Sequence, residues 1–322
     1  MPVVKVTLVG GAGGVGAATA FNLVRLQRPH EIVLVDNRPA MITSHVMDFE
    51  QTLELSPGGS VRGGDVSDVR DADVVVSLSA TPLTVGTSRL EYLTGNALIA
   101  DELADLLDSG WAGVVVVVTN PVDPLVTRLQ QRTGLDRRRI LGYTINDSLR
   151  LRTGLTHALG VPPGSVEAWA LGEHGDTSVP LFDRVSVNGV QVQPTPEQAA
   201  AAGEYFRTWY VRHVALDSGR SSTWTSGLGV ARMVAAIDGP SELDGPAELW
   251  PASVVLDGEY GIEGVAVTVP VTIGRGGAEQ IHEWELAPRD LDALRASAEF
   301  VRAAAESIGP PGAAGDPRVT AQ

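Results

Sequence analysis

One short run near the start of the chain constrains its fold more than any other feature. Gly11-Ala12-Gly13-Gly14-Val15-Gly16 follows the apolar segment Lys5–Val9 and opens a stretch of helical periodicity. In a GxGxxG turn between a strand and a helix, the first glycine permits the tight turn. The second lets a pyrophosphate approach the backbone, and the third lets the helix pack closely on the strand. The helix N-terminus offers free N–H groups and a positive dipole to phosphates. Glycine-rich turns are common, and Asp36 makes this one specific. It ends the second apolar segment, Glu31–Val35, 20 residues after Gly16, where a carboxylate can accept both ribose hydroxyls. Gly11, Gly13, Gly16 and Asp36 together predict a dinucleotide site. NAD is favoured over NADP, because the carboxylate repels a 2′-phosphate. Arg38 stands close enough to soften that preference.

The segments Lys5–Val9, Glu31–Val35, Asp73–Leu78 and Val114–Thr119 are valine-rich and lack polar alternation, as strands buried on both faces should. Helical stretches lie between and after them, near 14–27, 41–55, 90–108 and 121–133. This rhythm predicts an α/β fold: a Rossmann-type doubly wound parallel sheet over residues 1–143. Residues 144–308 read as a mixed α+β substrate-binding and catalytic domain. Arg184–Val187, Asn188-Gly189 and Val190–Val192 form a hairpin signal with a type I′ turn. Helices are expected at about 195–216, 222–237 and 288–306, and antiparallel strands at 252–258 and 264–273. Residues 309–322, rich in Pro, Gly and Ala, are expected to be a disordered tail.

Composition excludes several function classes. The 322 residues carry a formal charge of -15, which disfavours nucleic-acid and anionic-membrane partners. Without cysteine there is no disulfide, thiolate nucleophile or cysteine metal site, and the six histidines lack ligand spacing, so no metal is expected. No apolar run reaches the roughly 20 residues needed to span a bilayer. No signal-peptide series opens the chain, so a cytoplasmic location is the expectation.

Three polar clusters interrupt apolar stretches: Gly86-Thr87-Ser88-Arg89 with Asn96, Asn146-Asp147-Ser148-Leu149-Arg150, and Leu171-Gly172-Glu173-His174-Gly175-Asp176. Taken singly, each is compatible with ordinary surface: a solvated arginine, an ion pair at helical i, i+3 spacing, a loop histidine. Taken in order with Val118-Thr119-Asn120-Pro121, Gly261-Ile262 and Pro270-Val271-Thr272-Ile273-Gly274, they resemble the L-lactate/malate dehydrogenase family over about residues 4–305.

That resemblance implies an NAD-dependent enzyme interconverting an L-2-hydroxy acid and its 2-oxo acid. His174 is then the general acid/base, suited to both directions by its intrinsic pKa. Asp147 orients the imidazole and stabilises its cation. Arg150 clamps the substrate carboxylate in a bidentate pair, and Arg89 polarises the carbonyl on closure of a lid. Asn120 holds the reacting oxygen and the nicotinamide, and Asn96 joins the cofactor set. The rival class, NAD-dependent glycosidases holding a metal by cysteine and histidine, is disfavoured by the lack of cysteine. A catalytically dead relative is disfavoured because His174, Asp147, Arg150 and Arg89 are all present.

The resemblance also implies a homodimer or homotetramer. Some bacterial lactate dehydrogenases bind a sugar bisphosphate between subunits through an arginine and a histidine. Arg152 matches the arginine, but Glu167 stands in the histidine's place and would repel phosphate. The position facing the substrate's variable group carries arginine in malate enzymes and commonly glutamine in lactate enzymes. Here it is Leu83, with the small Ser222 opposite. A substrate with a non-acidic, larger side chain, of the 2-hydroxyisocaproate type, is expected. The alternatives are a malate or lactate enzyme tolerant of leucine, or a 2-oxo acid reductase of a specialised biosynthetic pathway.

Overall fold

The computed structural model describes residues 3–82, 89–107, 110–220, 222–239 and 249–309. The first half runs β1 (Val4–Val9), α1 (Gly14–Arg25), β2 (His30–Val35), α2 (Pro39–Leu55), β3 (Ser60–Gly63), β4 (Val74–Ser77), α3 (Arg89–Ala104), β5 (Val114–Val117), α4 (Val122–Thr133) and β6 (Ile140–Tyr143). The second runs α5 (Ile145–Leu159), β7 (Val166–Leu171), β8 (Val179–Val187), β9 (Val190–Gln191), α6 (Pro196–Ala215), α7 (Thr223–Asp238), β10 (Leu249–Asp257), β11 (Glu263–Gly274), β12 (Gly277–Ile281) and α8 (Pro288–Ser307).

Strands β1 to β6 are parallel and lie in the order 3-2-1-4-5-6, the doubly wound arrangement. Every side chain of β4 and β5 is buried, which is why these strands read as valine runs, closed in β4 by Ser77. Each fully buried aliphatic side chain there stabilises the sheet by about 1.5–3 kcal/mol. The order reverses between β1 and β4, and such a switch point opens a crevice at the carboxyl ends of the strands. The glycine turn after β1 and Asp36 after β2 both lie at that end.

The second half is mixed α+β, as expected, and its strands divide between two sheets. Among the described residues, β7, β8 and β9 form a sheet of their own, antiparallel, with β8 and β9 joined at Asn188-Gly189. Both turn residues have positive φ, 50° and 78°, as a type I′ turn requires. Strands β10, β11 and β12 instead extend the parallel sheet to nine strands, β10 pairing antiparallel with β6 through Ala252↔Tyr143 and Ser253↔Gly142. An open edge at β6 would leave unpaired N–H and C=O groups, and the apolar β10 covers it. One apolar cluster therefore runs through both halves, from Val6 and Leu34 to Val254, Val267 and Leu294.

The loop carrying His174 is fastened to this sheet. Gly172 and Thr268 of β11 exchange main-chain hydrogen bonds of 3.0 and 2.8 Å. Among the described residues, no helix is long and apolar enough to cross a membrane.

Candidate active site

The switch-point crevice holds a cleft of about 1030 Å³ lined by Gly10, Gly13, Asp36, Arg38, Ser79 and Pro82, among others. Its glycines divide the work. A Cβ on Gly16 would stand 2.7 Å from the Gly10 carbonyl oxygen and 2.8 Å from the Gly11 Cα, so α1 could not pack where it does. A Cβ on Gly13 would have nothing closer than 3.3 Å and would project into the cleft. Gly13 is also the N-cap of α1, with no capping side chain and no acid in the first turn. The helix end is left free for an anion.

Asp36 accepts from the Ala12 N–H at 3.1 Å and from Arg38 through its main-chain N–H, Nε and Nη2 at 3.2, 2.9 and 3.1 Å. Burial pushes its pKa up, but the Arg38 pair and the Ala12 N–H outweigh this and hold the carboxyl below its ordinary value. It is an ionised acceptor at the mouth of the cleft. These residues fit an NAD: a bare helix end for the pyrophosphate and an acid for the ribose.

On the chemical side, Asp147 lies in the first turn of α5 and His174 in the loop after β7. The imidazole Nδ1 and Asp147 Oδ2 are 2.5 Å apart. Burial alone would lower the histidine's pKa, but the Asp147 carboxylate outweighs it, and His174 stands above the ordinary imidazole value. With Nδ1 bonded to Asp147, Nε2 is the nitrogen left for a reacting oxygen.

Asp147 also takes Arg150 Nη1 on its other oxygen at 2.9 Å. The spacing that reads as an ordinary ion pair is thus one edge of a shared network. The Arg150 guanidinium lies 4.4 Å from the centre of the Trp209 ring, which stacks on His213 at 5.0 Å and 13°. Asn120, exposed at the end of β5, precedes α4 through a cis bond to Pro121. Ser222 is the N-cap of α7. One turn on, Ser226 accepts from Asn146 Nδ2 at 2.9 Å, which ties the start of α7 to the start of α5. Gly229 makes room for this junction: a Cβ there would meet the Tyr143 hydroxyl, which donates to Asn146 Oδ1 at 3.0 Å.

Asn96 lies behind the Asn120 turn. It is 1% exposed, and its Oδ1 accepts from the main chain and hydroxyl of Thr81 at 2.8 and 3.0 Å. Its Nδ2 donates to the Asn120 carbonyl at 2.7 Å. Through these bonds it braces the Asn120 turn from α3. Arg89 opens α3, but its side chain lies outside the described residues, as do Leu83 and Ser88. Arg152 pairs with Glu167 at 2.9 Å.

Sequence reasoning passed over Asp123, in the first turn of α4, whose Oδ2 accepts the main-chain N–H of His174 at 2.7 Å. It also gave no role to Asn146 and passed over Trp209. An acid in a helix's first turn has an ordinary explanation in the helix dipole. Contacts 51 residues away leave no local signal. Among the described residues, no group of His, Asp and Glu is placed to hold a metal.

A doubly wound sheet with an ionised acid at its switch point, and an Asp–His pair sharing its carboxylate with an arginine, define a dinucleotide-linked dehydrogenase. Known proteins agree. Residues 4–142 match the lactate/malate dehydrogenase NAD binding domain, and residues 144–308 the lactate/malate dehydrogenase alpha/beta C-terminal domain. Malate dehydrogenase of Halobacterium salinarum is 33% identical over 308 residues, covering 94% of this chain and 99% of its own. L-lactate dehydrogenase of Lactobacillus delbrueckii subsp. bulgaricus is 35% identical over 311 residues, covering 95% and 99%. The structure of the malate dehydrogenase from Aeropyrum pernix superimposes with a TM-score of 0.83 at 27% identity, covering 94% of this chain and 98% of that one. The minor L-lactate dehydrogenase of Enterococcus mundtii does so at 0.85 and 25%, covering 95% and 98%. The chain belongs to the lactate/malate dehydrogenase family. It is an NAD-dependent dehydrogenase of 2-hydroxy acids.

Proposed function

We propose that the chain interconverts an L-2-hydroxy acid and its 2-oxo acid where the substrate side chain is non-acidic and larger than a methyl group, as in 2-hydroxyisocaproate. The observation that carries the reaction is the 2.5 Å contact between His174 and Asp147. Reduction uses His174 in its protonated form, and Nε2 passes a proton to the carbonyl oxygen as that oxygen gains charge. Asp147 keeps the Nδ1–H pointed away from substrate and stabilises the imidazolium. The nicotinamide, when bound, supplies the hydride for reduction and accepts it in oxidation. Arg150 presents the rest of its fork to the substrate carboxylate, backed by Trp209. Arg89 opposes the charge on the reacting oxygen, and Asn120 orients that oxygen.

Substrate choice follows from residue type at position 83. Leucine cannot pair with the second carboxylate of oxaloacetate, and burying that group unpaired costs several kcal/mol. An apolar tail gains about 0.8 kcal/mol per buried methylene, so three carbons offer about 2.4 kcal/mol, or some 50-fold, over pyruvate. A second reading, malate or lactate, follows the names of the relatives, which are split between the two. Self-association is supported by large apolar side chains left exposed on α1, α2 and α7: Phe21, Met41, Met47, Trp224 and Leu228. A cytoplasmic homodimer or homotetramer is the state we propose.

The test is kcat/KM for oxaloacetate, pyruvate and 2-oxoisocaproate with NADH, on the unaltered chain, Leu83→Arg and His174→Asn. We expect 2-oxoisocaproate to lead, Leu83→Arg to gain toward oxaloacetate, and His174→Asn to lose turnover while still binding NADH. An unaltered chain that prefers oxaloacetate refutes the substrate assignment. Near-normal turnover in His174→Asn refutes the proton-transfer assignment.

A further inference from the structure

Asp123 is the least accessible carboxylate near the reaction, 1% exposed. One oxygen is committed to the His174 main chain at 2.7 Å. The other, sealed from solvent, faces the buried hydroxyl of Ser253 on β10, which favours its ionised form, and neither has a further partner among the described residues. A polar side chain sealed in this way is costly unless it does something there.

Its place in the chain is informative. Asp123 stands three residues after Asn120, in the first turn of the helix that the Asn120 turn starts. Asn96 braces that turn from α3. The His174 loop is held from other sides as well. Ser297 of α8 receives the Glu173 N–H at 2.8 Å, Glu173 receives the Thr177 N–H at 3.0 Å, and Asp147 holds the ring. Of these ties, only Asp123 joins the loop to the element that presents Asn120.

We propose that Asp123 is a positioning residue for the proton-transfer histidine. It locks the His174 backbone to the Asn120 turn, and its buried negative charge favours the protonated imidazole. The inference rests on reading His174 as the acid/base. The groups facing Asp123 are His174 and Glu173 of the loop and Ser253 of β10; beyond the imidazole lie Asp147 and Arg150 of α5. Burial pushes the Asp123 carboxyl up to about 6, against the pull of Ser253 and the His174 N–H, so it is mostly ionised at neutral pH and above. There its charge adds to that of Asp147 in raising the His174 pKa.

Asp123→Asn is the discriminating variant, because its amide oxygen can still accept the His174 N–H while the charge is gone. Reduction requires protonated His174, so its rate falls as pH rises through the pKa of that group. In Asp123→Asn this alkaline limb of kcat/KM should move down by about half a pH unit, a roughly threefold loss on the alkaline side. The acid plateau and the NADH Kd, read by fluorescence titration, should stay within about twofold. Asp123→Ala, which also strands the N–H, should lose kcat by about tenfold or more. Thermal melts report folding. If the Asp123 variants do not fold, Ser253→Ala leaves the His174 contact in place, favours the neutral carboxyl and should move the limb the same way by less. A limb that stays in place in a folded Asp123→Asn, or in Ser253→Ala where that is the variant used, overturns the proposal. Running His174→Asn beside these separates the two failures. If it retains turnover, the reading of His174 is wrong; if it is dead while the limb is unmoved, the role given to Asp123 is wrong.

Discussion

Replacing Arg38 with alanine should tighten NADH binding and weaken NADPH binding. An ionised carboxylate offers about four lone-pair positions, and on Asp36 they are filled by the Ala12 N–H and three donors of Arg38. A ribose diol therefore reaches this acid only by displacing the guanidinium. The Arg38 side chain is 53% exposed, so the displaced pair is screened and worth about 0.2–1 kcal/mol. Removing the competitor lowers the NADH Kd by up to about fivefold. NADPH moves the other way. Its 2′-phosphate loses the cation beside Asp36 and meets a wall that also includes Asp65 and Glu102. A loss of about tenfold corresponds to about 1.4 kcal/mol. The assay is fluorescence titration of both cofactors, with kcat/KM for each at saturating 2-oxo acid. The unaltered chain should prefer NADH. An NADPH preference in that chain, or a variant that improves with NADPH, refutes the lone-pair argument.

Arg150→Lys should raise KM for the 2-oxo acid by roughly 10- to 100-fold with a smaller change in kcat, because the planar fork is lost; Trp209→Ala should do the same more weakly, and steady-state kinetics with NADH held saturating checks both. Arg137 holds the Glu259 carboxyl through bonds of 3.0 and 2.7 Å, and although burial pushes that carboxyl up, the pair brings it down to about 2 from an ordinary 4.5. A depressed carboxylate stabilises the fold above its unfolded pKa and loses that contribution as pH falls through the folded one. The Asp257 N–H shares in holding the carboxyl down, so Arg137→Ala should cost about 1–3 kcal/mol in urea unfolding at pH 7 and almost nothing at pH 2. Fructose 1,6-bisphosphate should neither activate the enzyme nor shift its oligomeric state in light scattering, since Glu167 occupies Arg152 at 2.9 Å; a saturable activation curve would show that the pair opens.

What could be read from sequence was what repeats locally. Buried parallel strands announce themselves as valine runs, and the hairpin at Asn188-Gly189 by its turn chemistry. Strand β3, with one buried residue among Ser60–Gly63, has no such signature. Strand β6 follows three consecutive arginines and is only four residues long. The joining of β10 to β6 is a pairing between segments more than a hundred residues apart, which no periodicity encodes. The site divides in the same way. His174, Asp147 and Arg150 sit in recognisable motifs, whereas Asp123 and Trp209 matter through contacts across the fold. Asn96 belongs to a motif, yet its burial turns it toward Thr81 and Asn120 rather than outward.

The β6–β10 seam also limits how such an enzyme can be cut and recombined. A fragment ending at residue 143 would carry a naked strand edge at β6, and the complementary fragment would expose β10, an apolar strand buried at seven successive positions from Trp250 to Leu256. Each piece would offer a template for aggregation. Chimaeras that exchange cofactor halves between relatives should therefore carry β10–β12 along with the parallel strands, leaving the small sheet and its helices as the exchangeable unit. The same seam makes β10–β12 part of the sheet that carries the cofactor cleft, so these strands should follow the parallel half in any domain movement.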